Sequence, residues 1–298
     1  MANKNIFFFL LFLSMVAWGG SWVNVKIIGH YVGAYEMIFL RFGLSAISMV
    51  PIIIGLKRSF KIDLKSFGLV VLTSVTLIAY MNFFYFGTKY GTASLGSAMV
   101  TPMIPVMTFV ILALMGSKKI TRKDAFSLAL GAAGVLTMLH VWTFDIEHIL
   151  VIQNLYFILA AISWASLTIL SSKSTKIPPI VFTFYMYVVT VALVWLFFVN
   201  PSTIAYDSLD KIFWLNLVLI AFAATTFANT IYFLGIEKLG AAEVSSFVFL
   251  VPFSAIILSV LFLDEKIDLF IVLGTLLSLW AVKRLNNITI LKRRRKSV

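Results

Sequence analysis

Apolar residues fall along this chain in long runs, separated by short polar gaps that hold nearly all of the lysine and arginine. Each run is close to the roughly 20 mostly apolar residues that one membrane-spanning helix needs. The pattern predicts ten spans, at about 6–25, 34–55, 67–88, 93–115, 125–142, 154–172, 179–199, 212–234, 241–262 and 268–285. The gaps are short, so neighbouring helices should be antiparallel and packed on one another. The predicted class is an all-α polytopic membrane protein.

The second half of the chain repeats the plan of the first. Asn82-Phe83-Phe84-Tyr85 is answered by Asn229-Thr230-Ile231-Tyr232, and Pro105 by Pro252, at one constant offset of 147 residues. Gly91-Thr92-Ala93-Ser94 and Gly240-Ala241-Ala242-Glu243 open the two small-residue spans that follow. Trp18 with Trp164, and Leu130-Gly131 with Leu273-Gly274, extend the correspondence. Self-similarity of this kind decides architecture before any single residue does. Each half holds five spans, an odd number, so the second half must enter the membrane the opposite way. The expectation is two inverted five-helix repeats, residues 1–145 and 150–287, and a basic tail, 288–298. Inverted repeats characterise secondary transporters, with solute bound near the midplane between the halves.

Composition strengthens this picture. Of 298 residues, 61% are hydrophobic and 12% charged, against roughly 45–50% and 25% in soluble domains. The net charge of +12 raises the question of nucleic acid, but the location of the charge answers it. One set of gaps, with the termini, carries 19 Lys and Arg and the other set 4; Arg41 alone lies well inside a span. That is positive-inside patterning, which puts both termini in the cytoplasm of a cell with a bacterial-type inner membrane and leaves no nucleic-acid partner. The N-terminal run has the outline of a signal peptide, but it is long, contains Trp18 and has a counterpart later in the chain, so it reads as an uncleaved span. There is no cysteine, P-loop or metal-ligand spacing within the spans. The expectation is a non-enzyme without cofactor.

Several polar residues lie where lipid should surround them. Asn82 and Asn229 must face other helices or a cavity, because an amide in hydrocarbon needs partners; they read as cavity-lining residues or as glue between helices. Tyr85 and Tyr232 share a helix face with them, and Tyr80 belongs to the same region. Trp18 and Trp164 sit mid-span, where an indole N–H needs an acceptor. Arg41 reads as a carboxylate-binding or gating charge, or as a structural arginine that snorkels to helix-end carbonyls. Pro102, Pro105 and Pro252 each remove a backbone hydrogen bond inside a span and read as hinge or gate points. Glu36, His140 and Glu243 are candidate proton-linked groups, with a first-turn helix-dipole role the alternative for Glu243.

These features together resemble the EamA-like family of the drug/metabolite transporter superfamily. They are the two inverted halves, an early tryptophan in each, Arg41 in the second span, the small-residue entries to spans four and nine, and the proline followed by Phe262-Leu263-Asp264-Glu265-Lys266. The resemblance implies a ten-helix carrier, often an exporter, of amino acids and other small metabolites through a central cavity. The family pattern has a glutamate after span four as well as span nine; Lys118 takes the first position, so that role stays with Glu265 alone. The partners expected are a small-molecule solute and membrane lipid, with a monomer as the working state. A flippase for a lipid-linked or amphipathic molecule is the alternative, and a groove open sideways to lipid would favour it.

Overall fold

A computed structural model describes residues 4–116, 121–139, 151–174, 176–239, 247 and 250–285. The first half forms α1 (Lys4–Ile28), α2 (Ala34–Gly55), α3 (Leu64–Tyr90), α4 (Ala93–Leu114) and α5 (Arg122–Met138). The second half begins with α6 (Ile152–Ser172) and α7 (Pro179–Phe197). One continuous rod follows: α8 (Lys211–Val218), a π-helical segment (Leu219–Phe227) and α9 (Ala228–Leu239). The chain closes with α10 (Leu250–Leu263) and α11 (Leu269–Leu285). Among the described residues, seven helices are long and apolar enough to cross a membrane: α1 to α4, α6, α7 and the rod. Over their described lengths, α10 and α11 are apolar but shorter, and α5 has 17 residues.

Local chemistry sets the helix ends. Asp63, Thr92 and Asp210 accept the Ser66, Leu95 and Phe213 N–H groups, and Thr121 with Asp124 forms a capping box. These caps satisfy donors that helix starts leave open. Pro179 opens α7, where its missing N–H costs nothing. Asp210 also accepts the Tyr31 hydroxyl at 2.9 Å, tying the α1–α2 link to the start of α8. The Phe213 N–H and the tyrosine hold the Asp210 carboxyl below its ordinary range, and the same bond raises the Tyr31 phenol above its own.

Several helix pairs recur between the two halves. The packing of α3 on α6 is matched by α1 on the rod, α4 on α6 by α1 on α10, and α3 on α7 by α2 on the π segment. Of the other large pairs, α2 with α7, α4 with α10 and α5 with α11 join helices at matching places in the two halves, and α4 also packs on α11. Small residues allow the closest crossings, as expected where lipid offers no hydrophobic drive. A Cβ on Gly134 would stand 2.8 Å from the Gly274 carbonyl oxygen, and one on Gly19 2.8 Å from the Ala255 nitrogen.

Candidate functional site

The polar centre of the bundle is built on the π segment. Widening a helix from i→i+4 to i→i+5 bonding leaves carbonyls that neighbours can use, and such distortions gather at functional sites. Four side chains from α1 and α2 bond to this segment. The Trp18 indole donates to Ala224 O at 3.0 Å, and Ser45 Oγ bonds Ala221 O at 3.1 Å. Arg41 Nε donates to Thr225 Oγ1 at 2.9 Å, and the Ser48 and Thr226 hydroxyls lie 2.6 Å apart. Thr225 in turn donates to Ile220 O, five residues back, at 2.7 Å.

Asn229, one residue beyond Ala228 at the start of α9, joins three helices. Its Oδ1 accepts the Trp18 indole at 3.1 Å, and its Nδ2 donates to the Tyr187 hydroxyl on α7. The Tyr232 ring lies 5.1 Å from Trp18, and the Phe42 ring 4.8 Å from Tyr187. On the other side Tyr80 packs on Trp164 at 4.6 Å and stacks on Phe84 at 5.8 Å. Tyr187 and Tyr80 lie close enough to Arg41 to act on its charge. Trp18, Arg41, Tyr80, Trp164, Asn229 and Tyr232 therefore belong to one aromatic and polar cluster.

Arg41 supplies the charge of that cluster. It is 7% exposed. Its partners are the Thr225 hydroxyl and, at 3.6 Å, the Met81 sulfur, with the Phe42 ring 5.4 Å away. Among the described residues no aspartate or glutamate pairs with it. A guanidinium carries five N–H donors in a fork that matches a carboxylate. This one is aimed among aromatic rings and spends its donors on a hydroxyl and a thioether.

Other expected residues lie elsewhere. Asn82 Nδ2 donates to Ile78 O of its own helix at 3.0 Å. Tyr85 is fully buried, and its hydroxyl donates to Val32 O at 2.7 Å, at the α1–α2 link. Glu36 accepts the Gly33 N–H at 2.7 Å, closing back on the backbone that opens α2. Pro102 and Pro252 are buried in α4 and α10, and α4 runs unbroken past Pro102 and Pro105. His140 and Glu243 lie outside the described residues.

Two participants were not singled out from sequence. Tyr187 lies inside the apolar run of α7, and its only signal is a hydroxyl far from either span end. The π segment LIAFAATTF carries no periodic mark; adjacent Thr225 and Thr226 are its polar residues.

Two further spaces adjoin the core. A groove of about 480 Å³ between α2 and the rod opens beside Ser48, Pro51, Phe222, Thr226 and Thr230; the Thr230 hydroxyl is buried and has no hydrogen-bond partner among the described residues. A cavity of about 220 Å³ lies among α4, α5 and α11, beside Pro102, Met103, Met107 and Ser278.

Comparison with known proteins agrees with this architecture. The EamA-like transporter family model matches residues 5–140 and again 151–283. An uncharacterized transporter of Archaeoglobus fulgidus is 23% identical over 285 residues, covering 92% of this chain and 94% of that protein. The uncharacterized transporter YoaV of Bacillus subtilis is 22% identical over 265 residues, covering 87% and 89%. A crystal structure with a TM-score of 0.63 and 15% identity covers 99% of this chain and 100% of its own, and shares the fold.

Proposed function

The chain belongs to the EamA-like transporter family, and from that membership we propose that it is a secondary carrier, working as an exporter, of a small carboxylate-bearing metabolite such as an amino acid. Arg41 carries this reading. A buried cation at membrane depth costs about 2.5–3.5 kcal/mol on insertion scales. It is kept here with a hydroxyl and a sulfur for company, and a solute carboxylate would supply the missing counter-charge. Trp18, Tyr80, Trp164, Tyr187 and Tyr232 would enclose the rest of the solute with ring faces. Asn229, already between Trp18 and Tyr187, would exchange one of those bonds for a polar group of the solute.

Transport then follows from alternating exposure of this centre. The two repeats, at roughly 1–145 and 150–287, rock about their shared pairs α2–α7, α4–α10 and α5–α11, with Pro102, Pro105 and Pro252 as bending points. Both termini would face the cytoplasm of the inner membrane.

The test is flux in proteoliposomes with a panel of labelled amino acids, with and without a pH gradient. Saturable flux should be competed by other carboxylates of similar shape and not by their amides. Competition by the amides at equal strength would remove Arg41 from the mechanism. A second reading rests on the groove beside Ser48, Thr226 and Thr230. If it opens sideways to lipid, the same scaffold could flip an amphipathic or lipid-linked molecule. Scrambling of a labelled amphiphile without amino-acid flux would put that reading first.

A further inference from the structure

The far end of α1, the link from α3 to α4 and the link from α10 to α11 meet at one end of the bundle. The Glu265 carboxylate lies across the start of α4. It accepts the Ala93 N–H at 2.7 Å, the Ser94 N–H at 3.0 Å and the Ser94 hydroxyl at 2.6 Å. Thr92 accepts the Leu95 N–H, and its carbonyl accepts that of Gly96. Three donors left open at the start of α4, the Ala93, Ser94 and Leu95 N–H groups, are thereby satisfied, two of them by a residue from the other half of the chain. The helix dipole adds a favourable field for the carboxylate.

Lys26 completes the junction from the opposite side. Its ammonium donates to the Gly91 carbonyl and, at 3.3 Å, to that of Lys89, capping the end of α3, and it lies within the field of Glu265. The backbone is shaped for the same contact. Asp264 has φ 52°, in the left-handed region where aspartate is among the tolerated residues, and there the chain leaves α10.

Behind the junction the helices are closed by rings. Trp22 meets Phe84 edge-on at 4.4 Å and Phe157 at 6.2 Å. A Cβ on Gly96 would stand 2.6 Å from both Trp22 and Phe157. Trp22 is one turn of α1 beyond Trp18, so this plug lies between the polar centre and the Glu265 junction.

We propose that Glu265 is the gate residue of this end: docked on the start of α4, its carboxylate holds the plug shut, and its release lets α4 swing from α1 and opens the path. The proposal rests on the carrier reading, and on the orientation argued above this is the outer end. The repeat offset of 147 places Lys118 where Glu265 stands, so the sequence supplies the carboxylate at one end only. A carrier latched in this way rests facing the cytoplasm.

The chain contains no cysteine, which makes it its own background for thiol reporters. Ser97→Cys places a thiol at a fully buried site one turn beyond Ser94. Met107→Cys places one about 15 Å further along α4, beside the cavity in the other half of the bundle. Each is placed in the otherwise native chain and in Glu265→Gln, and labelled in proteoliposomes with a membrane-impermeant maleimide. Glu265→Gln should raise the rate at Ser97→Cys about tenfold or more, the factor expected for losing charge-assisted bonds, and lower it at Met107→Cys. Unchanged labelling in folded protein would overturn the proposal. So would a rise at Ser97→Cys with no fall at Met107→Cys, because that is fraying of α4 and not a change of facing. Should Glu265→Gln fail to fold, Ser94→Ala removes one of the three bonds and should move both reporters in the same directions by a smaller factor; if neither moves, the gate is refuted. Labelling requires no solute, so a failure of the amino-acid assay leaves this result standing by itself.

Discussion

Replacing Arg41 with methionine separates a structural arginine from one held for solute. The guanidinium bonds Thr225 Oγ1 at 2.9 Å and the Met81 sulfur at 3.6 Å. Losing a hydrogen bond to a charged group costs about 1.5–3 kcal/mol. Removing an uncompensated charge from within a span returns about 2.5–3.5 kcal/mol, the value for a span's centre. Methionine fills nearly the same length with a flexible apolar chain, so no large cavity follows. Thr225 keeps its bond to Ile220 O, so no orphaned hydroxyl is created. The balance, from about 0.5 kcal/mol less stable to about 2 kcal/mol more stable, predicts that Arg41→Met unfolds close to the native chain or above it. Its flux should fall to background in the same preparation. Thermal unfolding in detergent, paired with proteoliposome flux per folded molecule, reads both. A variant that unfolds several degrees lower yet carries solute normally would show the arginine to be a structural pin and sink the carboxylate argument.

Other expectations follow from particular contacts. Asn229→Ala breaks bonds to Trp18 and Tyr187 and should cut flux strongly, whereas Asn82→Ala loses a bond within its own helix and should leave flux near native; equal effects in the same assay would refute the distinction. Gly134→Val forces α5 and α11 apart at the Gly274 carbonyl, and should lower stability by at least the 1–3 kcal/mol typical, roughly, of overpacking. Gly43→Ala, with nothing within 4 Å, should be neutral or stabilising by thermal unfolding. Because the Asp210 carboxyl is held below its ordinary value of 3.8, its contribution to stability is full above that value and lost as pH falls through the lowered one. Asp210→Asn should therefore flatten the acid limb of a plot of unfolding midpoint against pH, most visibly below about pH 4.

Spans were legible because hydrocarbon imposes a length and a composition that leave few alternatives. Among the described residues, seven of the ten expected runs appear as helices long and apolar enough to cross, and some of their ends fall at the caps Asp63, Thr92 and Asp210. Trp18 and Asn229 were found because mid-span polar groups must have partners, and they proved to be each other's. Tyr85 was drawn toward the centre by sharing a face with Asn82, but what fixes it is a demand sequence does not display: the Val32 carbonyl at the end of a link needs a donor. Tyr187 was passed over because hydropathy counts its ring and not its hydroxyl. The junction at Glu265 spans more than 170 residues of chain, and only the resemblance singled that residue out.

The π segment has a consequence for rotational phase. Each residue of an α-helix advances the side-chain direction by about 100°, so a stretch wound more loosely resets the direction of everything after it. Asn229 and Tyr232 come just after Leu219–Phe227. Their sequence counterparts Asn82 and Tyr85 sit in α3, which is α-helical from Leu64 to Tyr90. Two residues matched by duplication thus leave their helices along different bearings, and a two-fold scaffold acquires a one-sided centre. Deleting a single residue from the loosely wound stretch would turn Asn229 and Tyr232 together by about 100°, away from Trp18, without changing one side chain of the site. In this protein the winding of one helix is itself an inheritable setting of the bearing of Asn229 and Tyr232.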